Sequence, residues 1–182
     1  MLNYIRNLLH RFQADTRGAT TVEFMVAMPL IVFWFAGTFT FFDAYANYTR
    51  SVKATYVVAD ILSRQDSVDD DFIDDMNGIY ANIMGESTNN TWVRVSTVER
   101  NGTDLELGWS TATGIHDPLQ NDEEIPEPYI PDIVNGEVVI VVESFIPFVP
   151  FLDYVGLQAR TLDNIVVVSP RFHANLANSD HP

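Results

Sequence analysis

Few residues in this 182-residue chain have types and spacing that suggest chemistry, and the sharpest of them is a single carboxylate. Glu23 stands directly before Phe24–Phe42, 19 consecutive uncharged residues rich in Phe, Val, Met, Ile and Trp. A carboxylate at the edge of a lipid-length segment is costly unless it is paired, so Glu23 reads as a group that needs a cation. The competing reading keeps Glu23 at a helix N-terminus near lipid headgroups, with Thr20 or Thr21 as the cap. Other chemistry is thin. Beyond the apolar run the histidines are His116, His173 and His181, and no nucleophile motif, zinc-protease helix, phosphate loop or dinucleotide fingerprint accompanies them. Glu123-Glu124 has the form of an acid–base pair. Among 25 acidic residues such neighbours arise by chance, and a solvated loop is the simpler reading. The acids Asp66, Asp69, Asp70, Asp71, Asp74 and Asp75 lack the spacing and closing glutamate of a calcium loop. The chain therefore reads as a non-enzyme, with no metal or cofactor implied.

These residues must be positioned by the elements around them. At about 1.5 Å per residue, Phe24–Phe42 nearly crosses a hydrocarbon core roughly 30 Å thick. Pro29 lies inside it and removes one helical hydrogen bond, and Gly37 is a second soft point. Beyond Phe42 the pattern continues through Tyr45, Tyr48, Val52, Tyr56, Ala59 and Leu62, which predicts one helix from Ala19 to about Arg64 with that stripe on a protein core. Ahead of it, Tyr4, Ile5, Leu8, Leu9 and Phe12 recur at helical spacing opposite Arg6, His10 and Arg11. Residues 1–18 are thus either a surface-lying helix or a processed targeting segment.

The acidic cluster precedes Phe72, Ile73, Met76, Ile79, Tyr80, Ile83 and Met84, as expected for a helix whose positive N-terminal end favours acids and which Gly85 ends. From Thr91 the period changes to two. Trp92–Arg100 reads as a strand, Asn101-Gly102 as a hairpin turn and Leu105–Ser110 as the return strand. Residues 114–136 form a long acidic, proline-containing loop. Glu137–Phe145, apolar throughout its centre, suggests a central strand covered on both faces. Pro147–Phe151 is a bend that exposes aromatics unless it packs on the long helix. Asn164–Val168 is a last strand, and the tail to Pro182 looks frayed. The sum is an α+β fold: a long N-terminal helix, its first half membrane-spanning, packed on a small mostly antiparallel sheet.

Charge divides the chain unequally. Arg6, Arg11 and Arg17 precede the apolar run, whereas 23 acidic and 7 basic residues follow it, a net of −16. Basic residues before a span place its N-terminus on the cytoplasmic side, and Arg50 and Lys53 weaken this asymmetry without reversing it. So acidic a domain lacks the basic surface that nucleic acids require. The hydrophobic fraction, 47%, is that of a folded protein. Cysteine is absent, so there is neither a disulfide framework nor thiolate chemistry. The sequons at Asn47, Asn89 and Asn101 would matter only in a eukaryotic secretory route.

A basic leader ending in Gly18, followed by Ala19-Thr20-Thr21-Val22-Glu23-Phe24 and an apolar helix, resembles a type IV prepilin signal. The aromatic Phe24 after Glu23, with Met28-Pro29, is similar to the TadE-like branch, the pilin-like proteins of Flp/Tad (tight adherence) pili. The motif covers about 25 residues. The resemblance implies a pilin-like fold and three segments: a leader, 1–18; an apolar helix segment, 19–42; and an exported α+β domain, 43–182. It implies cleavage after Gly18 by a prepilin peptidase, with Ala19 as the new N-terminus. Glu23 would pair with the N-terminal ammonium of a neighbouring subunit, and Phe24 belongs to the same assembly segment. The implied partners are other pilin subunits and the Tad machinery of the bacterial inner membrane, with the domain periplasmic or carried into a surface pilus that mediates adherence. Its size argues against the very short Flp major subunit. Two other readings remain: a single-pass anchor carrying a periplasmic binding domain, and a secreted protein cleaved after Ala46, where Ala44-Tyr45-Ala46 fits a signal-peptidase site.

Overall fold

A computed structural model describes Arg6, residues 18–152 and residues 156–181. The amphipathic pattern Tyr4–Phe12 lies outside the described residues. The fold is α+β, with a long N-terminal helix packed on a small antiparallel sheet. Helix α1 spans Ala19–Leu62, 44 residues without interruption, or about 66 Å at helical rise. Pro29 is accommodated inside it. In the apolar half, hydroxyls are satisfied within the helix: the exposed Thr38 donates to the Trp34 carbonyl at 3.0 Å and the buried Thr40 to that of Ala36 at 2.9 Å.

The face of α1 that docks is not the one marked by its large residues. Ser51, Ala54, Thr55, Val58, Ala59 and Leu62 are buried, whereas Tyr45, Tyr48 and Tyr56 are 69%, 47% and 58% exposed. Of the stripe expected on the core, Ala59 and Leu62 are buried as expected, whereas its tyrosines face outward. The reason is steric: a helix lying close on a sheet needs small side chains at the contact, and Ser51, Ala54 and Ala59 supply them.

After a two-residue strand β1 (Ser67–Val68), helix α2 runs Asp70–Met84. The Asp69 carboxylate accepts from the Phe72 amide at 2.7 Å, which caps its start. Gly85, at φ +76°, ends it in the left-handed region. Ile73, Met76, Tyr80, Ala81 and Met84 form its buried face. The acidic cluster is therefore a helix start.

Strands β2 (Trp92–Asn101), β3 (Asp104–Ala112), β4 (Val138–Phe148) and β5 (Arg160–Val168) form an antiparallel sheet in the order β3-β2-β4-β5. The hairpin turn is Gly102-Thr103, because Asn101 already pairs with Asp104 and only Gly102 takes a positive φ. β4 is central and covered on both faces. One face holds Val93, Val95, Ile140, Val142, Ile146, Leu162 and Val166 against the two helices. The other holds Val98, Val139 and Val141 under Ile125 and Ile133 of the long loop. The acidic loop is thus the sheet's second cover. The expected bend begins later than Pro147, since β4 and β5 pair as far as Phe148↔Arg160. Phe151 then does meet the long helix, edge-to-face with Phe39 at 6.3 Å.

The tail is ordered, contrary to its frayed look in sequence. Ala177–Asn178 (β6) pairs in parallel with β1, Leu176 is fully buried, and the Trp109 indole donates to the Leu176 carbonyl at 2.7 Å. The Asp180 carboxylate accepts from the Asp70 amide at the start of α2. Leu176 is the apolar anchor, and the hydrogen bonds fix the register around it.

Candidate functional site

Gly18 is the N-cap of α1, without a side-chain cap bond, and Ala19 is the first helical residue. Thr20 and Thr21 lie inside the helix, so neither caps it. The helix starts one turn earlier than that role requires. A Cβ at Gly18 would meet nothing within 4 Å, and its φ of −82° suits any residue. Neither backbone nor packing in this structure demands glycine there.

Glu23 is the fifth residue of α1 and is exposed. It lies past the first turn, where the unpaired amides and the dipole would favour it most. Among the described residues it has no hydrogen-bond or ion-pair partner. Beside it Phe24 is 61% exposed. Residues 20–35 are exposed throughout, and α1 is long and apolar enough to cross a membrane, with a mean hydropathy of 1.9 over its most apolar window. Gly18, Glu23 and Phe24 therefore sit together, exposed, on the end of the helix that begins at Ala19. An unpaired carboxylate there can bind a cation presented by another molecule.

A second polar constellation, which sequence reasoning missed, lies where α1 meets the domain. The Asn164 side-chain amide donates to the Ser51 hydroxyl at 2.6 Å. Ser51 lies 2.5 Å from the Tyr80 hydroxyl, and Thr55 lies 2.6 Å from Ser144. Thr55 also donates to the Ser51 carbonyl at 2.9 Å. Burial raises the Tyr80 phenol above its ordinary value, and its hydrogen bonds with Ser144 and Ser51 partly oppose this. The residues come from α1, α2, β4 and β5. Only the spacing of Ser51 and Thr55, four apart within an otherwise apolar face, signals the group in sequence.

On the outer face of the sheet, Arg94 and Glu143 occupy paired positions of β2 and β4 and form a two-pronged ion pair at 2.6 and 2.8 Å. Arg94 also donates to the Asp117 carbonyl at 3.1 Å. His116 stacks on Phe145 with ring centroids 3.9 Å apart, beside Trp92. Burial holds the His116 imidazole below its ordinary pKa, helped by the Arg94 charge and opposed by Glu143 and Asp117. This cluster pins the start of the acidic loop. His173 and His181 lie elsewhere, His181 beside Asp70 at 3.4 Å. Glu123 and Glu124 share a short 3₁₀ turn, where Glu124 accepts from the Gln120 amide and from Asn121. Among the described residues no group of three or more His, Cys, Asp or Glu is placed to hold a metal.

No family model, curated protein or solved structure matches this chain.

Proposed function

We propose that the chain is a minor pilin or pseudopilin of the Flp/Tad type that takes part in pilus assembly. The observation that carries this reading is Glu23: a carboxylate at the fifth position of a helix that begins at Ala19, exposed and without an ion-pair or hydrogen-bond partner among the described residues. A prepilin peptidase cuts after Gly18, the new Ala19 ammonium meets Glu23 of a neighbouring subunit, and the two charges satisfy each other in a medium of low dielectric. Phe24 and the apolar residues after it lie in lipid before assembly and against other subunits after it. The N-terminus is cytoplasmic and the domain periplasmic, held at the inner membrane until the Tad machinery draws it into or beneath the fibre. Adherence is the expected outcome, and the chain acts without catalysis. That a Cβ at position 18 would meet nothing among the described residues fits a residue kept for processing.

N-terminal sequencing of the protein recovered from membranes tests this. A start at Ala19 supports the proposal, and an intact Met1 means a permanent anchor. A start at Asn47 means secretion, which would cost the fold the buried Thr40, the Ala44 contact with the core and the Phe39–Phe151 ring contact.

A further inference from the structure

The sheet has two edges, and they differ in kind. At β3 the loop closes the edge: the Asp122 carboxylate accepts from the Leu107 amide at 2.7 Å, and Ser110 accepts from the Leu119 amide at 3.0 Å. At β5 no such cover is present among the described residues. Which groups point outward there follows from the pairing. The Thr113 amide donates to the Val93 carbonyl and the Val93 amide to the Thr113 hydroxyl, so odd-numbered residues of β2 face β3 and even-numbered ones face β4. The register Arg94↔Glu143 then turns odd residues of β4 toward β2 and even ones toward β5. The register Val142↔Val166 in turn leaves the amides and carbonyls of Thr161, Asp163, Ile165 and Val167 directed away from the sheet. Pro147 agrees with this phase: it is an odd residue beyond the end of β2, where its missing N–H breaks no ladder bond.

We infer that this free edge of β5 is a strand-pairing site for an extended, apolar and non-acidic segment of another envelope protein. Natural edges are usually blunted by Lys, Pro, a bulge or a covering loop. β5 contains neither Lys nor Pro, pairs with β4 over nine consecutive residues without a register shift, and ends in Ile165-Val166-Val167-Val168. An added strand would lie beside Leu162 and Val166 on the helix side and beside Ile165 and Val167 on the loop side, so it needs apolar residues in both phases. Asp163 favours a basic residue opposite it. A second copy fits poorly. Antiparallel pairing of two β5 edges requires a two-fold axis perpendicular to the sheet, which would send the two α1 helices in opposite directions and forbid one shared membrane. The net charge of −16 after Phe42 also repels a like domain. The inference uses only the membrane-anchored part of the proposed function.

The test uses the full-length chain in detergent micelles and a synthetic probe peptide apolar in both phases, Lys-Val-Ile-Val-Ile-Val-Lys, read by fluorescence anisotropy. The probe is expected to bind, and a version with proline at its centre to bind about tenfold more weakly or less. Asp163→Pro removes one outward amide and no β4 bond, so it should weaken binding by a similar factor with the melting transition retained. Val167→Lys is the second variant should the first fail to fold. Absence of binding, or binding unchanged in a folded variant, overturns the inference. Oxidative cross-linking between Thr161→Cys and Val167→Cys copies in vesicles overturns the choice of a foreign strand. Each outcome stands whether or not the chain is cut after Gly18.

Discussion

The Asn164 amide donates to the Ser51 hydroxyl at 2.6 Å, joining the edge strand β5 to helix α1 across 113 residues of chain. One assignment satisfies every hydroxyl around that bond. Asn164 donates to Ser51, Ser51 to Tyr80, Tyr80 to Ser144, Ser144 to Thr55, and Thr55 returns to the Ser51 carbonyl. Buried polar groups are tolerated when each has its partner, and then they fix one register among the many that an apolar helix face would allow. Here they fix how far along the sheet the long helix sits, and therefore where the free helical segment begins.

Ser51→Ala breaks this circuit at its branch point, strands the Asn164 amide and takes one of two partners from the Tyr80 hydroxyl. With about 1–3 kcal/mol for a buried group left without its partner, the domain should lose roughly 3 kcal/mol. Thermal unfolding of the full chain in detergent checks this, and an unchanged melting temperature would refute it.

Tyr80 makes stability depend on alkaline pH. Its folded pKa lies above the ordinary 10.0, so the neutral phenol is favoured in the folded state. That contribution is complete below pH 10.0 and is lost as pH rises from there through the folded pKa. The melting temperature should therefore fall more steeply above pH 10.0 in the native chain than in Tyr80→Phe. Parallel slopes would contradict the assignment.

His116 has the opposite dependence. Its folded pKa is depressed, so the stability it lends is complete above the ordinary 6.5 and declines as pH falls through the folded value. The groups facing it are Arg94, Glu143, Asp117, Phe145 and Trp92. An NMR titration should place the His116 midpoint below 6.5, with amide exchange of residues 114–118 rising as it protonates. A midpoint at or above 6.5 would be inconsistent with this packing.

Arg94 and Glu143 stand or fall together. Their side chains are 19% and 7% exposed, so truncating one buries the other's charge unpaired. Glu143→Ala should cost about 3 kcal/mol, whereas Arg94→Met with Glu143→Leu should recover most of that loss. Equal instability in the single and double variants would show that shape, not charge, matters at this position.

The extent of each long element was legible because its signal is local. The uncharged run and the 3.6-residue period gave α1, Asp69 and Gly85 bounded α2, and the Val-rich runs placed the sheet's core. What failed depended on distance in sequence. Of the expected stripe Ala59 and Leu62 are buried but Tyr45, Tyr48 and Tyr56 are not: in the sequence size stood in for burial, while close packing chose Ser51, Ala54 and Thr55. The tail looked frayed because Leu176 and Asp180 find their partners, Trp109 and Asp70, far upstream. Ile125 and Ile133 passed for loop residues because the face they cover lies on other strands. At the helix start, Glu23 and Gly18 were visible as a spacing, and what the structure adds is that, among the described residues, Glu23 has no partner and Gly18 meets no close neighbour.

That lack of a partner makes Glu23 the decisive position. A carboxylate that stabilised its own helix or domain would, when removed, lower the melting temperature, and among the described residues Glu23 has no hydrogen-bond or ion-pair partner that such a change would disturb. Glu23→Ala and Glu23→Gln should therefore fold and insert as the native chain does, and processing after Gly18 should persist. Assembly should fail in both, because the neighbour's ammonium then enters lipid without a counter-charge. Glu23→Asp keeps the charge on a shorter stem and should assemble in part. Pilus yield by shearing and surface adherence provide the measurement. Undiminished pili from the alanine variant would show that the carboxylate pairs with nothing during assembly.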